Sequence, residues 1–127
     1  MARAAGSVPV LIIEDDPDPR DALGELLSGE GYEVATAADG QEGLRRLGAP
    51  PRPCLVLLDL MLPAMDGFEF RVRQLEDPEL AAIPVIVLSG GGDVERKVAR
   101  LGVAASLTKP LDLGTQLEHV ARCRLGN

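Results

Sequence analysis

The chain has 127 residues, a formal net charge of −7, 46% hydrophobic residues and only 2% aromatic residues. This length fits one domain with an aliphatic core, and the acidic balance argues against a nucleic-acid or anionic-membrane partner. No apolar stretch approaches the roughly 20 residues that span a bilayer.

Short apolar runs alternate with amphipathic stretches along the chain. The runs predict strands near 8–13, 32–36, 54–58, 83–88 and 104–107. The periodicity between them predicts helices near 17–28, 39–48, 66–76, 92–101 and 112–124. This alternation indicates an α/β fold, in which a doubly wound parallel sheet carries helices on both faces.

Local signals agree with these boundaries. Asp39-Gly40-Gln41-Glu42 and Asp66-Gly67-Phe68-Glu69 each read as a capping box that starts a helix. Cys54 opens the third apolar run and is interpreted as a small core residue within a strand.

Charged side chains follow three of the predicted strands. Glu14-Asp15-Asp16 follows the first strand, Asp59 ends the third, and Lys109-Pro110 follows the last. In an open parallel sheet these positions meet at the carboxyl edge, where such folds place their chemistry.

The residue types predict a chemistry for this edge. Three clustered carboxylates, from Glu14, Asp15 and Asp59, repel one another unless a cation intervenes. Oxygen ligands without His or Cys favour Mg²⁺. Asp59 then becomes a nucleophile toward phosphorus, while Lys109 supplies a positive charge and Ser89 a hydroxyl hydrogen bond to the phosphoryl oxygens.

Four segments together resemble the receiver domain of two-component response regulators, over roughly residues 8–124. These are LIIEDD at 11–16, LLDLMLPAMDG at 57–67, VLS at 87–89 and LTKP at 107–110. The resemblance implies a flavodoxin-like fold with five strands in the order 2-1-3-4-5. Residues 1–7 are then a flexible N-terminal extension, 8–124 the receiver domain and 125–127 a C-terminal tail.

The resemblance also implies the roles of individual residues. Asp59 is the phosphoacceptor, and Asp15 and Asp59 bind Mg²⁺ directly. Glu14 assists directly or through water, and the backbone carbonyl of Met61 completes the protein ligands. Ser89 and Lys109 contact the phosphoryl group.

A stand-alone receiver resembling chemotaxis regulators is the expected functional class. The phosphoryl donor is a sensor histidine kinase or a phosphotransfer protein, and the signal passes to an unknown target protein. Such a domain assists its own phosphorylation and dephosphorylation without turning over a separate substrate. We expect a cytoplasmic location, since the two cysteines form no disulfide framework and residues 1–7 hold no signal-peptide segment. We also expect a monomer or weak dimer without nucleic-acid or membrane partners.

Several alternatives remain at this stage. The acidic cluster before Pro17 is also typical of a helix N-terminus. A phosphatase of the haloacid dehalogenase class needs a second Asp where Met61 stands, and a flavin binder needs a phosphate loop where Glu14-Asp15-Asp16 stands. A non-phosphorylated interaction module with the same fold is the remaining alternative.

Two departures from the family pattern concern the conformational change that follows phosphorylation. Ser106 occupies the position where most receivers carry an aromatic ring, and the segment from Ser89 to Lys109 is about two residues short and begins with three glycines. We therefore expect phosphorylation to change mainly residues 89–101, with little change in the last strand.

Overall fold

The computed structural model describes residues 9–49, 52–59, 67–89 and 105–108. Within these ranges the strands are β1 (Pro9–Ile13), β2 (Glu33–Ala37), β3 (Leu55–Asp59), β4 (Val85–Ser89) and β5 (Ala105–Thr108). The helices are α1 (Pro17–Gly29), α2 (Gly40–Gly48), α3 (Gly67–Leu75) and the single turn α4 (Pro78–Ala81). The helices predicted over 92–101 and 112–124 and the three glycines at 90–92 lie outside the described residues.

The strands form one parallel sheet in the order β2-β1-β3-β4-β5. The predicted parallel sheet, and the order of its first four strands, are confirmed. Ile13 of β1 pairs with Leu58 of β3, and Asp59 pairs with Leu88 of β4. This register brings the carboxyl ends of β1, β3 and β4 to the same edge. At the far side β5 pairs with β4, and Ser106 lies opposite Val87.

Two aliphatic layers cover the sheet, one on each face. Leu11 and Ile13 of β1 pack with Leu47 of α2 and Phe70 of α3. The alternate residues Val10 and Ile12 pack on the other face, with Leu23 and Leu27 of α1. Strands buried on both sides are expected to be apolar, as β1 is and as β3 is except for its last residue, Asp59. Each fully buried leucine or isoleucine contributes about 1.5–3 kcal/mol, so these layers hold the sheet edge in place.

The predicted Asp39 cap at the start of α2 is confirmed. The Asp39 side chain accepts a hydrogen bond of 2.8 Å from the Glu42 backbone N–H. Glu42 Oε1 in return accepts from the Ala38 N–H at 3.0 Å, one residue before the cap. The second predicted box begins at Asp66, which lies outside the described residues.

The prediction for Cys54 was wrong. Its side chain is exposed, and the residue stands just before β3 begins at Leu55. The Cys54 N–H already donates to the carbonyl of Pro9 at 2.8 Å, which joins this residue to the ladder without burying its side chain. An apolar run shows that a strand is near but does not mark which of its residues are buried.

The short helix α4 was not predicted. It begins at an Asp77 cap followed by Pro78 at the first helical position, a frequent arrangement. The buried Gln74 side chain fastens this turn to α3, because its Nε2 donates to the carbonyls of Leu80 at 2.8 Å and Ile83 at 3.0 Å. Arg71 Nη1 donates to Gln74 Oε1 at 2.8 Å, and burial lowers the pKa of the Arg71 guanidinium.

Replacement of Gly43 should loosen the contact between α2 and the end of β1. A Cβ at this position would lie 2.5 Å from Ile13 Cδ1 and 3.1 Å from Phe70 Cε2. Alanine favours a helix by about 1 kcal/mol over glycine, but overpacking costs typically about 1–3 kcal/mol. We expect Gly43→Ala to lower the free energy of unfolding in urea by about 1 kcal/mol.

Gly24→Ala is the matched control, because the nearest atom to its added Cβ would be Val34 Cγ1 at 3.7 Å, an ordinary contact. It should raise the free energy of unfolding by about 0.5–1 kcal/mol. An equal gain for both variants would contradict the close packing at Gly43.

Candidate functional site

The sheet register places two acidic residues side by side at its carboxyl edge. Ile13 and Leu58 are paired, so the residues that follow them, Glu14 and Asp59, leave β1 and β3 at the same level. Both residues are nearly excluded from solvent, with 3% exposure for Glu14 and 2% for Asp59. Buried carboxylates are rare unless they serve a partner or a ligand.

Asp15 joins this pair from the start of the β1–α1 loop. One carboxylate oxygen from each of Glu14, Asp15 and Asp59 lies within 4.8 Å of the other two. Asp15 is exposed, so the cluster opens to solvent on its side. The prediction that these three carboxylates converge is confirmed.

The loop that carries Glu14 and Asp15 is held by backbone hydrogen bonds. The Glu14 N–H donates to the carbonyl of Ala37 at the end of β2, at 3.0 Å. The Asp16 N–H donates to Glu14 Oε2 at 3.3 Å. Glu14 is thus held by two hydrogen bonds, one made by its backbone N–H and one accepted by its carboxylate.

Asp16 belongs to the helix rather than to the carboxylate cluster. Its side chain caps α1 by accepting from the Asp18 N–H at 3.1 Å, and Pro17 follows at the first helical position. An acidic side chain here also favours the helix dipole. The alternative interpretation of the acidic run as a helix N-terminus therefore describes Asp16 and Asp18, whereas Glu14 and Asp15 face Asp59.

The cluster has the donor set of a divalent cation site. Carboxylate oxygens are the ligands of hard cations such as Mg²⁺ and Ca²⁺. At an effective dielectric constant near 20, two unit charges about 4.8 Å apart repel by roughly 3–4 kcal/mol. A cation between the buried pair would turn this repulsion into attraction, so the residues present fit a divalent cation.

The remaining predicted site residues are placed only in part. Ser89 ends β4, directly after the residue that pairs with Asp59, so its backbone reaches the same edge. Thr108, the residue before Lys109, pairs with Ser89. Met61 and Lys109 themselves lie outside the described residues. Their contacts, and that of the Ser89 hydroxyl, stay predictions.

One residue near the cluster was not predicted from the sequence. Arg20, on the first turn of α1, donates from Nη1 to the Glu14 carbonyl at 3.1 Å. An arginine in a helix that begins with acidic residues is the only sequence signal, and it also suits an ordinary surface ion pair.

A sequence profile described as the response regulator receiver domain matches residues 10–121. The chain belongs to this family. The parallel sheet agrees with this membership, and the resemblance drawn from the four sequence segments is confirmed.

Relatives within the receiver family differ in length. The DNA-binding dual master transcriptional regulator RpaA of Synechocystis is 39% identical over 113 residues, which are 87% of this chain but 46% of RpaA. The chemotaxis protein CheY of Treponema pallidum is 35% identical over 114 residues, which are 88% of this chain and 79% of CheY. This chain therefore spans under half of the longer regulator and most of the shorter one.

A solved structure agrees with the receiver fold. The signal receiver domain of a signal transduction histidine kinase from Syntrophus aciditrophicus superposes with a TM-score of 0.86 and 31% sequence identity. The match covers 94% of this chain and 92% of that one.

Among the described residues, no helix combines the length and apolar character needed to cross a bilayer.

Proposed function

We propose that this receiver domain takes up a phosphoryl group on Asp59 and passes the signal on by contact with another protein. The observation that carries the proposal is the buried Asp59 carboxylate at the end of β3, within 4.8 Å of the oxygens of Glu14 and Asp15. A buried carboxylate beside two others suits a nucleophile next to a cation site, and this supports the proposal.

The transfer itself needs only one new bond. A carboxylate oxygen of Asp59 attacks the phosphorus of a phosphohistidine, and the P–N bond breaks as the O–P bond forms. The leaving imidazole nitrogen keeps the electron pair and takes up a proton. The product is an aspartyl phosphate, and hydrolysis later returns the carboxylate and inorganic phosphate.

Mg²⁺ held by Glu14, Asp15, Asp59 and the Met61 carbonyl would neutralise part of the charge on the phosphoryl oxygens. In the same proposal Lys109 supplies a second positive charge and Ser89 donates a hydroxyl hydrogen bond. Glu14 and Asp15 fix the place of the cation relative to Asp59, so that the nucleophile is not repelled by the incoming phosphoryl group.

The partners belong to the proposal as well. A sensor histidine kinase or a phosphotransfer protein supplies the phosphoryl group, and a target protein binds the phosphorylated form. The domain has no separate substrate to turn over. The complete receiver fold, with five strands and a last helix over 112–124, is part of this proposal.

The test is phosphorylation of the purified chain with acetyl phosphate and Mg²⁺, followed by intact-mass and peptide analysis. We expect the mass of one added phosphoryl group, located on Asp59 and dependent on Mg²⁺. The adduct should be stable in acid and labile in base, as an acyl phosphate is. A chain that stays unmodified by acetyl phosphate and by a panel of phosphorylated histidine kinases would contradict the proposal and favour an interaction module without phosphorylation.

A further inference from the structure

Arg20 makes a hydrogen bond to each end of the β1–α1 loop, one from its side chain and one from its backbone. Arg20 Nη1 donates to the carbonyl of Glu14 at 3.1 Å, and the Arg20 backbone N–H donates to the carbonyl of Asp16 at 3.2 Å. The Arg20 side chain is only 21% exposed, so these contacts are made at the edge of the folded domain rather than in open solvent.

The carbonyl that Arg20 Nη1 binds belongs to the peptide unit between Glu14 and Asp15. A peptide unit is planar, so a hydrogen bond to its oxygen fixes the orientation of the plane that joins these two residues. The Glu14 N–H is already bound to Ala37 and the Glu14 carboxylate to the Asp16 N–H. Together with the hydrogen bond from Arg20, these contacts orient the backbone of Glu14 and Asp15. They therefore also orient the Cα–Cβ bonds from which the two carboxylates project.

We propose that Arg20 is a positioning residue, whose guanidinium sets the geometry of the Glu14 and Asp15 carboxylates for a small divalent cation. The inference rests on the proposed function, since it assigns a role toward the cation site of that function. Arg20 need not touch the cation or the phosphoryl group, because it acts through the peptide that carries two of the ligands.

The charge and the hydrogen bond of Arg20 have opposite effects on cation binding. A positive charge near the cluster repels a cation, so its removal alone would strengthen the binding of every divalent ion. The hydrogen bond orients the ligands, so its loss weakens binding. The two effects can be separated because Mg²⁺ needs nearly ideal octahedral geometry, whereas Ca²⁺ accepts flexible coordination.

The ratio of Mg²⁺ to Ca²⁺ affinity is therefore the decisive measurement. Arg20→Met keeps a side chain of comparable length but removes both donor and charge. We expect its Mg²⁺ affinity in calorimetry to fall about tenfold, the usual cost of losing a residue that orients metal ligands. Its Ca²⁺ affinity should fall about threefold or less, because the larger ion tolerates displaced ligands.

Two further variants make the comparison specific. Arg46→Met also removes one arginine, from an exposed ion pair with Glu42 at 3.6 Å on α2, and should leave both affinities unchanged. Arg20→Lys keeps the charge and a single donor nitrogen, and should recover part of the ratio of Mg²⁺ to Ca²⁺ affinity. If Arg20→Met does not fold, as judged by circular dichroism, the comparison of Arg20→Lys with wild type decides in the same way, by a lower ratio.

Each outcome supports or overturns the inference. A fall in Mg²⁺ affinity with a smaller fall for Ca²⁺ supports it. Unchanged affinities, an equal change for both ions, or stronger binding of both would overturn it, since these results leave no geometric role for Arg20. A wild-type chain that binds neither ion would refute the cation site of the proposed function itself, and the role of Arg20 with it.

Discussion

Asp59→Asn should abolish phosphorylation by acetyl phosphate. The substitution replaces a nucleophilic carboxylate with an amide of nearly the same size, which cannot form an acyl phosphate under these conditions. Asp59 is buried at the end of β3 and pairs with Leu88, so the amide fits without rearranging the sheet. We expect the phosphorylated fraction, measured by intact mass, to fall from most of the protein to background.

Asp77→Asn is the matched control for this prediction. Asp77 caps the short helix α4 by accepting from the Glu79 N–H at 3.0 Å, and asparagine is an equally good cap. The same chemical change at this exposed site should leave phosphorylation intact. Labelling of Asp59→Asn at another residue, such as a serine or His119, would contradict the assignment of Asp59 as the phosphoacceptor.

The sequence was sufficient to predict which carboxylates converge. Glu14 follows an apolar run typical of a buried strand and Asp59 ends another, and parallel strands present their carboxyl ends at one edge. The predicted positions of Glu14 and Asp59 depend on the direction of the strands and not on the details of side-chain packing. Residue types and their positions in the chain are therefore enough to predict the cluster.

The role of Arg20 could not be predicted in the same way. Its contact runs from a helix side chain to a backbone carbonyl six residues earlier. That contact depends on the angle at which α1 leaves the loop, and the hydrophobic periodicity of the sequence does not indicate this angle. The contact is visible only once Asp16 has capped the helix and fixed its first turn.

Errors at element boundaries have a similar origin. The apolar run that contains Cys54 predicts a buried cysteine within a strand, but Cys54 lies one residue before β3 and its side chain is exposed. The helix α4 was missed although Asp77-Pro78 is a recognised start signal, because a single turn has too few residues to show a period. Both errors lie away from the carboxyl edge and leave the candidate site unchanged.

The second large effect concerns Asp15, the exposed member of the cluster. Asp15→Asn removes one negative charge and weakens one oxygen ligand, while Glu14 and Asp59 remain. A divalent cation draws much of its affinity from ligand charge, so we expect Mg²⁺ affinity in calorimetry to fall at least about tenfold. Cation binding to the folded state should also stabilise the wild type, by about 1.4 kcal/mol when Mg²⁺ is present at ten times its dissociation constant.

Glu25→Gln distinguishes a ligand from a nearby charge. Glu25 is exposed on α1, and its replacement by glutamine changes the net charge by the same amount as the loss of Asp15. If Asp15 is a ligand, Mg²⁺ should raise the melting temperature of Glu25→Gln as it does that of the wild type, and that of Asp15→Asn by less than about a third as much at the same concentration. Equal loss in both variants would mean that general negative potential attracts the cation. Unchanged affinity in Asp15→Asn would show that the exposed carboxylate takes no part, because two buried carboxylates would then be enough to hold the ion.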